Sequence, residues 1–188
     1  MVQEVYFGEI QHGHMEQVGY DTYCKLLEEV IKEMQGVEIE PEEIDVQIDL
    51  NVSSYIPDEY MENSSQKIET YQNIALCRTE EDIADIVDEL IDRFGPMPEE
   101  LESLLEIARI KELARKAYVI KIMQKMNGIV FTFDANHFRM ENVDVLLKQY
   151  RNQIKFSPGK DPYITLKEEK LSSHQVLQDI KDFLKVIK

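Results

Sequence analysis

Residues 89–98 read Glu-Leu-Ile-Asp-Arg-Phe-Gly-Pro-Met-Pro, and this stretch predicts a sharp corner between two helices. Gly95 can take the left-handed backbone conformation that closes a helix, and Pro96 prevents that helix from continuing. Pro98 is suited to the first turn of a new helix, where its missing N–H would have no partner in any case. We call residues 95–98 the corner.

The helix before the corner is predicted by apolar residues spaced three and four positions apart, with Thr79 as its cap. This stripe covers about four turns and consists of Ile83, Ile86, Val87, Leu90, Ile91 and Phe94. At about 100° per residue, five carboxylates fall on the opposite, solvent-facing side, with no Lys or Arg among them. This acidic face consists of Glu81, Asp85, Asp88, Glu89 and Asp92.

The acidic face is expected to lower the stability of its own helix. Like charges three or four residues apart repel each other, and their pairs here sum to about 1–2.5 kcal/mol before salt screening. Glu89 and Asp92 also lie at the negative end of the helix dipole, where a cation is preferred. The face is therefore either a solvated surface, as most charge runs are, or a docking surface for a basic partner.

The composition excludes several classes of protein. The 188 residues suffice for one domain with an appended arm. No apolar run approaches the roughly 18 residues of a membrane span, and the N-terminus lacks a secretion signal, so a cytoplasmic location is expected. Cys24 and Cys77 lie far apart without a Cys-x-x-Cys pattern, which predicts buried free thiols.

The net charge of −16 is distributed unevenly along the chain. Residues 1–100 contain 26 acidic and 5 basic residues, a net −21, whereas residues 101–188 contain 11 acidic and 16 basic residues, a net +5. Nucleic-acid affinity comes mainly from neutralising phosphates, so the acidic half argues against DNA or RNA binding by the whole chain. A basic protein surface is the more suitable partner.

The rest of the chain predicts an α+β fold, with helices first and later β-hairpins forming a mainly antiparallel sheet packed on helices. Alternating residues at 44–52 predict a strand with one wet face. Hairpins are predicted at 119–133, with Asn127-Gly128 as a type I′ turn, and at 154–166. Further helices are predicted at 18–34, 63–77, 98–116 and 143–150, and in a last segment capped by Ser172 or Ser173.

The sequence contains no assembled catalytic motif. It lacks a phosphate-binding loop, a nucleophile elbow and a Cys/His nucleophile arrangement. His12 and His14 share a loop, but two histidines without further ligands are weak evidence for a metal site. His137 and His174 are isolated and are interpreted as surface or cap residues. No catalytic residue, metal site or cofactor is therefore predicted for this chain.

Two blocks of sequence together resemble one bacterial family. Residues 8–23 resemble the end of the translocation motif named for RecG, and residues 89–98 with 104–109 resemble the C-terminal domain of the transcription-repair coupling factor (Mfd) family. Residues 55–58, Tyr-Ile-Pro-Asp, fit the same pattern. The resemblance implies that residues 1–36 end the translocation motif as a loop plus a helical arm, and that residues 37–188 are the C-terminal regulatory (TRCF) domain.

The resemblance also implies a function. The parent protein would be an ATP-driven DNA translocase that displaces stalled RNA polymerase and recruits the excision-repair protein UvrA, with its ATP and magnesium sites upstream of residue 1. In this family the last domain is non-catalytic and autoinhibitory, because it docks on a UvrB-like module and masks the surface that binds UvrA. By position, Glu89 and Asp92 match acidic residues that pair with arginines on that module, and Asp85 and Asp88 lie beside them.

A second interpretation is that the chain contributes directly to the motor function of the translocase. Gln11, between Gly8 and Gly13, matches the loop glutamine through which the translocation motif couples ATP hydrolysis to movement. The loop would then contact the ATPase lobe or DNA. The arginine and glycines that normally precede this loop are absent here, and the charge of the first half favours the docking interpretation.

Overall fold

The computed structural model describes residues 44–168 and 172–187. Residues 53–105 form one compact unit, and residues 44–52 with 106–168 and 172–187 form a second. Within these ranges, no helix combines the length and the apolar character needed to cross a membrane. The predicted loop residues Gly8, Gln11 and Gly13, the helix predicted at 18–34 and Cys24 lie outside the described residues.

The first unit is built on helices. It contains α1 (Ser64–Leu76), α2 (Glu80–Phe94) and the start of α3 (Glu99–Lys116). The predicted helix at 63–77 is confirmed, because Asn63 caps α1 by accepting hydrogen bonds from the backbone N–H groups of Ser65 and Gln66. The core of this unit contains Ile56, Met61, Tyr71, Ile74, Ala75, Cys77, Ile83, Leu90, Leu101, Leu104 and Leu105.

The second unit contains a five-stranded sheet. Its strands are β1 (Gln47–Asp49), β2 (Val119–Lys125), β3 (Gly128–Phe133), β4 (Ile154–Ser157) and β5 (Tyr163–Leu166), and its further helices are α4 (Met140–Tyr150) and α5 (Ser173–Val186). The strand order is β1-β2-β3-β5-β4. All neighbouring strands are antiparallel except β1 and β2, which are parallel. The predicted α+β class with a mainly antiparallel sheet is confirmed.

The hairpin between β2 and β3 is confirmed, but its predicted turn type is wrong. Lys125 pairs with Gly128, so Met126 and Asn127 form the loop. A type I′ turn needs positive φ angles at both central residues, whereas Gly128 is the residue here with a positive φ, at 144°. A Cβ atom on Gly128 would lie 2.1 Å from the carbonyl oxygen of Leu166. Glycine is therefore required by the close approach of the backbone of β5.

The predicted apolar stripes of the later helices are confirmed by burial. The apolar side of α5 is buried throughout, and the ring of Phe183 stacks on Phe131 from β3 with centroids 4.1 Å apart. Ser172 caps α5, as one of the two predicted serines. Helix α4 begins at Met140, three residues before the predicted Val143. Leu101, Leu104, Ile107, Ile110 and Ala114 make α3 the buried helix that its wide apolar band predicts.

Candidate functional site

The start of α2 is fixed by a capping box. The hydroxyl of Thr79 accepts a hydrogen bond from the backbone N–H of Asp82, and the carboxylate of Asp82 accepts one from the N–H of Thr79 in return. The same carboxylate accepts a bond from the N–H of Arg78, which is the main reason that the pKa of Asp82 is lowered. The charged form of Asp82 therefore favours the fold above its ordinary pKa, and this contribution is lost as the pH falls through the lowered value.

Thr79→Ala is expected to lower the free energy of unfolding by about 1 kcal/mol, because an N–H group at the helix start loses its acceptor. The change would be measured by urea denaturation followed by circular dichroism. Thr79→Ser keeps the hydroxyl and serves as the control, with stability close to that of the unmodified chain. Equal losses in the two variants would show that the cap does not act through its hydroxyl.

All five carboxylates of the acidic face are exposed on α2, as the helical spacing predicts. The opposite side differs in part from the prediction. Ile83 and Leu90 are buried and Ile86, Val87 and Phe94 are half-buried, but Ile91 is 46% exposed. The assignment of Ile91 to the buried stripe was wrong, because it sits at the edge of the stripe in the last turn. The end of α2 thus presents an apolar side chain next to Asp92.

No cation interrupts the acidic face, as predicted, but one borders it and pairs with Glu89. Nη1 of Arg93 donates to Oε1 of Glu89 at 2.5 Å, one turn earlier on the same helix. Cζ of Arg93 lies 5.1 Å from the centre of the Phe94 ring, a cation–π distance. An exposed pair of this spacing contributes about 0.3–0.5 kcal/mol, and an exposed cation–π contact about 0.5–1 kcal/mol. Arg93 therefore offsets part of the predicted repulsion.

The corner is held by its backbone and by Tyr60. Gly95 has φ 84° and ψ −162°, a region that is essentially open to glycine alone, rather than the predicted left-handed helical conformation. The hydroxyl of Tyr60 lies 3.1 Å from the carbonyl oxygen of Leu90 and 3.0 Å from that of Gly95, so its one hydrogen is shared between the two acceptors. Helix α3 then begins at Glu99, with the carbonyl of Pro98 accepting from Leu101 and Glu102. Burial raises the pKa of Tyr60, so the hydroxyl stays protonated at neutral pH.

A small groove is lined by residues of α1 and α2. Its walls include the carboxylates of Glu69 on α1 and Glu89 on α2, and Arg93 lies at the same groove. Ile86 and Leu90 contribute its apolar part. One end of the acidic face thus borders a groove that carries charge of both signs.

Among residues 44–168 and 172–187, the other reactive side chains do not form a second site. His137 is an exposed surface residue, as predicted, but it is not isolated: its Nδ1 pairs with the carboxylate of Asp134, and its ring stacks on Tyr118 with centroids 4.4 Å apart. Cys77 is a buried free thiol, as predicted, and burial together with the charge of Asp82 raises its pKa to about 11. It is therefore a poor nucleophile at neutral pH. In residues 44–168 and 172–187 no group of three or more metal-ligating side chains occurs.

The fold and the acidic helix together define a class, an α+β domain that presents a charged helix at its surface. The family model of the TRCF domain matches residues 50–143, half of the chain, and this range contains all of α2 and the corner. The chain belongs to the TRCF domain family. The chain is similar to transcription-repair-coupling factors of three staphylococci. It is 41% identical to that of Staphylococcus haemolyticus over 143 residues, 38% identical to that of Staphylococcus epidermidis over 143 residues, and 39% identical to that of Staphylococcus aureus over 138 residues.

The chain spans 12% of the length of these relatives, while the matched part covers 76% of this chain for the first two and 73% for the third. The fold also matches a crystal structure of the C-terminal domain of a transcription-repair coupling factor, with a TM-score of 0.69 at 23% identity. That match covers 76% of this chain and 91% of the solved one. The resemblance that the sequence indicated is confirmed at the level of family and fold.

Proposed function

We propose that this chain is the C-terminal regulatory domain of a transcription-repair coupling factor and that it acts by docking. The parent protein would be an ATP-dependent DNA translocase that displaces stalled RNA polymerase in transcription-coupled repair. The domain itself would be non-catalytic, and it would dock on a UvrB-like module of the same protein and mask the surface that binds UvrA.

The observation that carries this proposal is the exposed end of α2. Glu89 and Asp92 lie about one turn apart on the solvent side of this helix. The hydroxyl of Tyr60 lies within hydrogen-bond distance of the carbonyls of Leu90 and Gly95, so the end of α2 that carries the two carboxylates has a tertiary contact. Two exposed carboxylates at this spacing suit arginine side chains of a partner, since hydrogen bonds between charged groups are stronger than those between neutral groups.

Neutralising both carboxylates, as Glu89→Gln with Asp92→Asn, is expected to weaken docking about tenfold, since exposed ion pairs contribute roughly 0.2–1 kcal/mol each and 1.4 kcal/mol is tenfold in affinity. The measurement is calorimetric titration of the 188-residue chain with the UvrB-like module expressed as a separate chain. The difference from the unmodified chain should shrink at high salt, because exposed charges are screened.

The matched control uses Glu141 and Asp144, which have the same residue types, the same spacing and the same exposure on α4. Glu141→Gln with Asp144→Asn changes the net charge equally and is expected to leave docking nearly unchanged. The reversed pair, Glu89→Arg with Asp92→Arg, should dock more weakly still. Undiminished docking by the reversed variant would refute the proposal.

The proposed docking has a separate consequence, which is that the UvrA-binding surface of the UvrB-like module is masked. If the chain covers the UvrA-binding surface, adding it in excess should reduce capture of the UvrB-like module by immobilised UvrA. The variant with neutralised Glu89 and Asp92 should compete less well at equal concentration. Simultaneous binding of UvrA and the chain to one module would leave docking intact but contradict masking.

A further inference from the structure

Arg93 is a cation at the edge of the acidic face. Its Nη1 donates to Oε1 of Glu89 at 2.5 Å, and its Cζ lies 5.1 Å from the ring centre of Phe94. Both of these partners belong to the last turns of α2 itself. The side chains of Arg93 and Glu89 are 46% and 54% exposed, so solvent and an incoming partner can reach both charges.

Glu89 is one of the two carboxylates proposed to receive cations from the partner. A carboxylate binds a guanidinium best when both of its oxygens accept parallel hydrogen bonds. In the free chain one oxygen of Glu89 already accepts from Arg93. The positive charge of Arg93 also repels any cation that approaches the same carboxylate. Docking through Glu89 is therefore an exchange of one ion pair for another.

We infer that Arg93 is an intramolecular competitor, which occupies Glu89 in the free chain and is displaced when an arginine of the partner docks. This inference rests on the proposed function. An exposed pair between residues four apart is weak enough to exchange. Glu69 lines the same groove as Arg93 and provides a second carboxylate near which the released guanidinium can remain.

Such a competitor affects specificity as well as affinity. A partner that offers a single cation to Glu89 gains little, because it replaces an ion pair that already exists. A partner that offers a second cation to Asp92 at the same time gains an additional pair. Arg93 thus selects for partners with two cations at the spacing of Glu89 and Asp92, since specificity is a difference between affinities.

Arg93→Gln is expected to raise the affinity of the 188-residue chain for the UvrB-like module about two- to five-fold at low salt, because the competing pair is lost. Lys148→Gln is the matched control: it removes an exposed cation from the last turn of α4 and makes the same change in net charge. It should produce a clearly smaller gain. In a double-variant comparison, adding Arg93→Gln to Glu89→Gln should raise the affinity by no more than Lys148→Gln does.

Equal affinities for the Arg93→Gln and Lys148→Gln variants, or weaker binding by Arg93→Gln, would overturn the inference. Circular dichroism of each variant would verify that the helix content is retained. If neutralising Glu89 and Asp92 leaves docking unchanged, the proposed function fails and the role of Arg93 fails with it. If that neutralisation weakens docking while Arg93→Gln gives no gain, the proposed function stands and only the role of Arg93 is refuted.

Discussion

Lys181→Met is expected to lower the free energy of unfolding by about 2–3 kcal/mol, because it leaves a mostly buried carboxylate without its main partner. Lys181 on α5 forms an ion pair with Glu106 on α3, and the two side chains are only 16% and 22% exposed. Arg109 donates to the other oxygen of Glu106 at 2.5 Å. This second cation keeps the expected loss below the roughly 3–5 kcal/mol of a fully buried pair.

Lys185→Met is the matched control for this substitution. Lys185 is an exposed lysine one turn further along α5, so the same chemical change there should alter stability by less than about 0.5 kcal/mol. Urea denaturation would measure both variants. Combining Lys181→Met with Glu106→Gln should recover part of the loss, because the uncompensated charge is then removed. A loss in Lys181→Met no greater than that in Lys185→Met would contradict the predicted role of the ion pair.

The effect of Lys181→Met should also depend on pH. Burial acts to raise the pKa of Glu106, but the hydrogen bond and charge of Lys181, with the charge of Arg109, outweigh it and lower the pKa below its ordinary value near 4.5. A carboxyl group with a lowered pKa in the folded state contributes stability above its ordinary pKa and loses it as the pH falls through the lowered value. The difference in the free energy of unfolding between the unmodified chain and the Lys181→Met variant should therefore become smaller in acid.

The helices and hairpins were predictable because their signals are local. The cap at Thr79, the apolar spacing of α2 and α5, and the turn residues around Pro158-Gly159 all lie within a few positions of the elements they specify. The acidic face followed from the same periodicity, since five carboxylates at helical spacing must share one side. The docking role proposed for Glu89 and Asp92 came from the family resemblance, because spacing alone implies no partner.

Contacts between distant parts of the chain were not predictable. Strand β1 pairs with β2, whose partner residues lie more than 70 positions later, and no local pattern specifies that neighbour or its parallel direction. The hydrogen bonds from Tyr60 to α2 and the corner join residues 30 and 35 positions apart. The pair between Arg93 and Glu89 is different, because an arginine four residues after a glutamate is a recognised helix pair. That signal was present in the sequence and was missed.

Gly95→Ala is expected to lower the free energy of unfolding by about 1–3 kcal/mol through backbone strain alone, since the φ and ψ angles of Gly95 are essentially reserved for glycine. No atom lies within 4 Å of a Cβ placed on Gly95, so a steric clash contributes nothing. The substitution must either strain the backbone or shift the corner, and a shifted corner would weaken the bond from Tyr60 to the carbonyl of Gly95. Urea denaturation would measure the loss.

Gly159→Ala separates strain from the general effect of adding a methyl group. A Cβ on Gly159 also meets no atom within 4 Å, but its φ angle is not positive, so this variant should be neutral or slightly stabilised. Equal stability of the two variants would refute the strain argument. Glu89 and Asp92 lie on α2 before the corner, and the contact of Tyr60 with the carbonyl of Leu90 does not involve Gly95. Folded Gly95→Ala chains should therefore dock with nearly normal affinity. Neutralising Glu89 and Asp92 should have the opposite effect, with weaker docking and unreduced stability. The two results together would show that Gly95 contributes to folding whereas Glu89 and Asp92 contribute to docking.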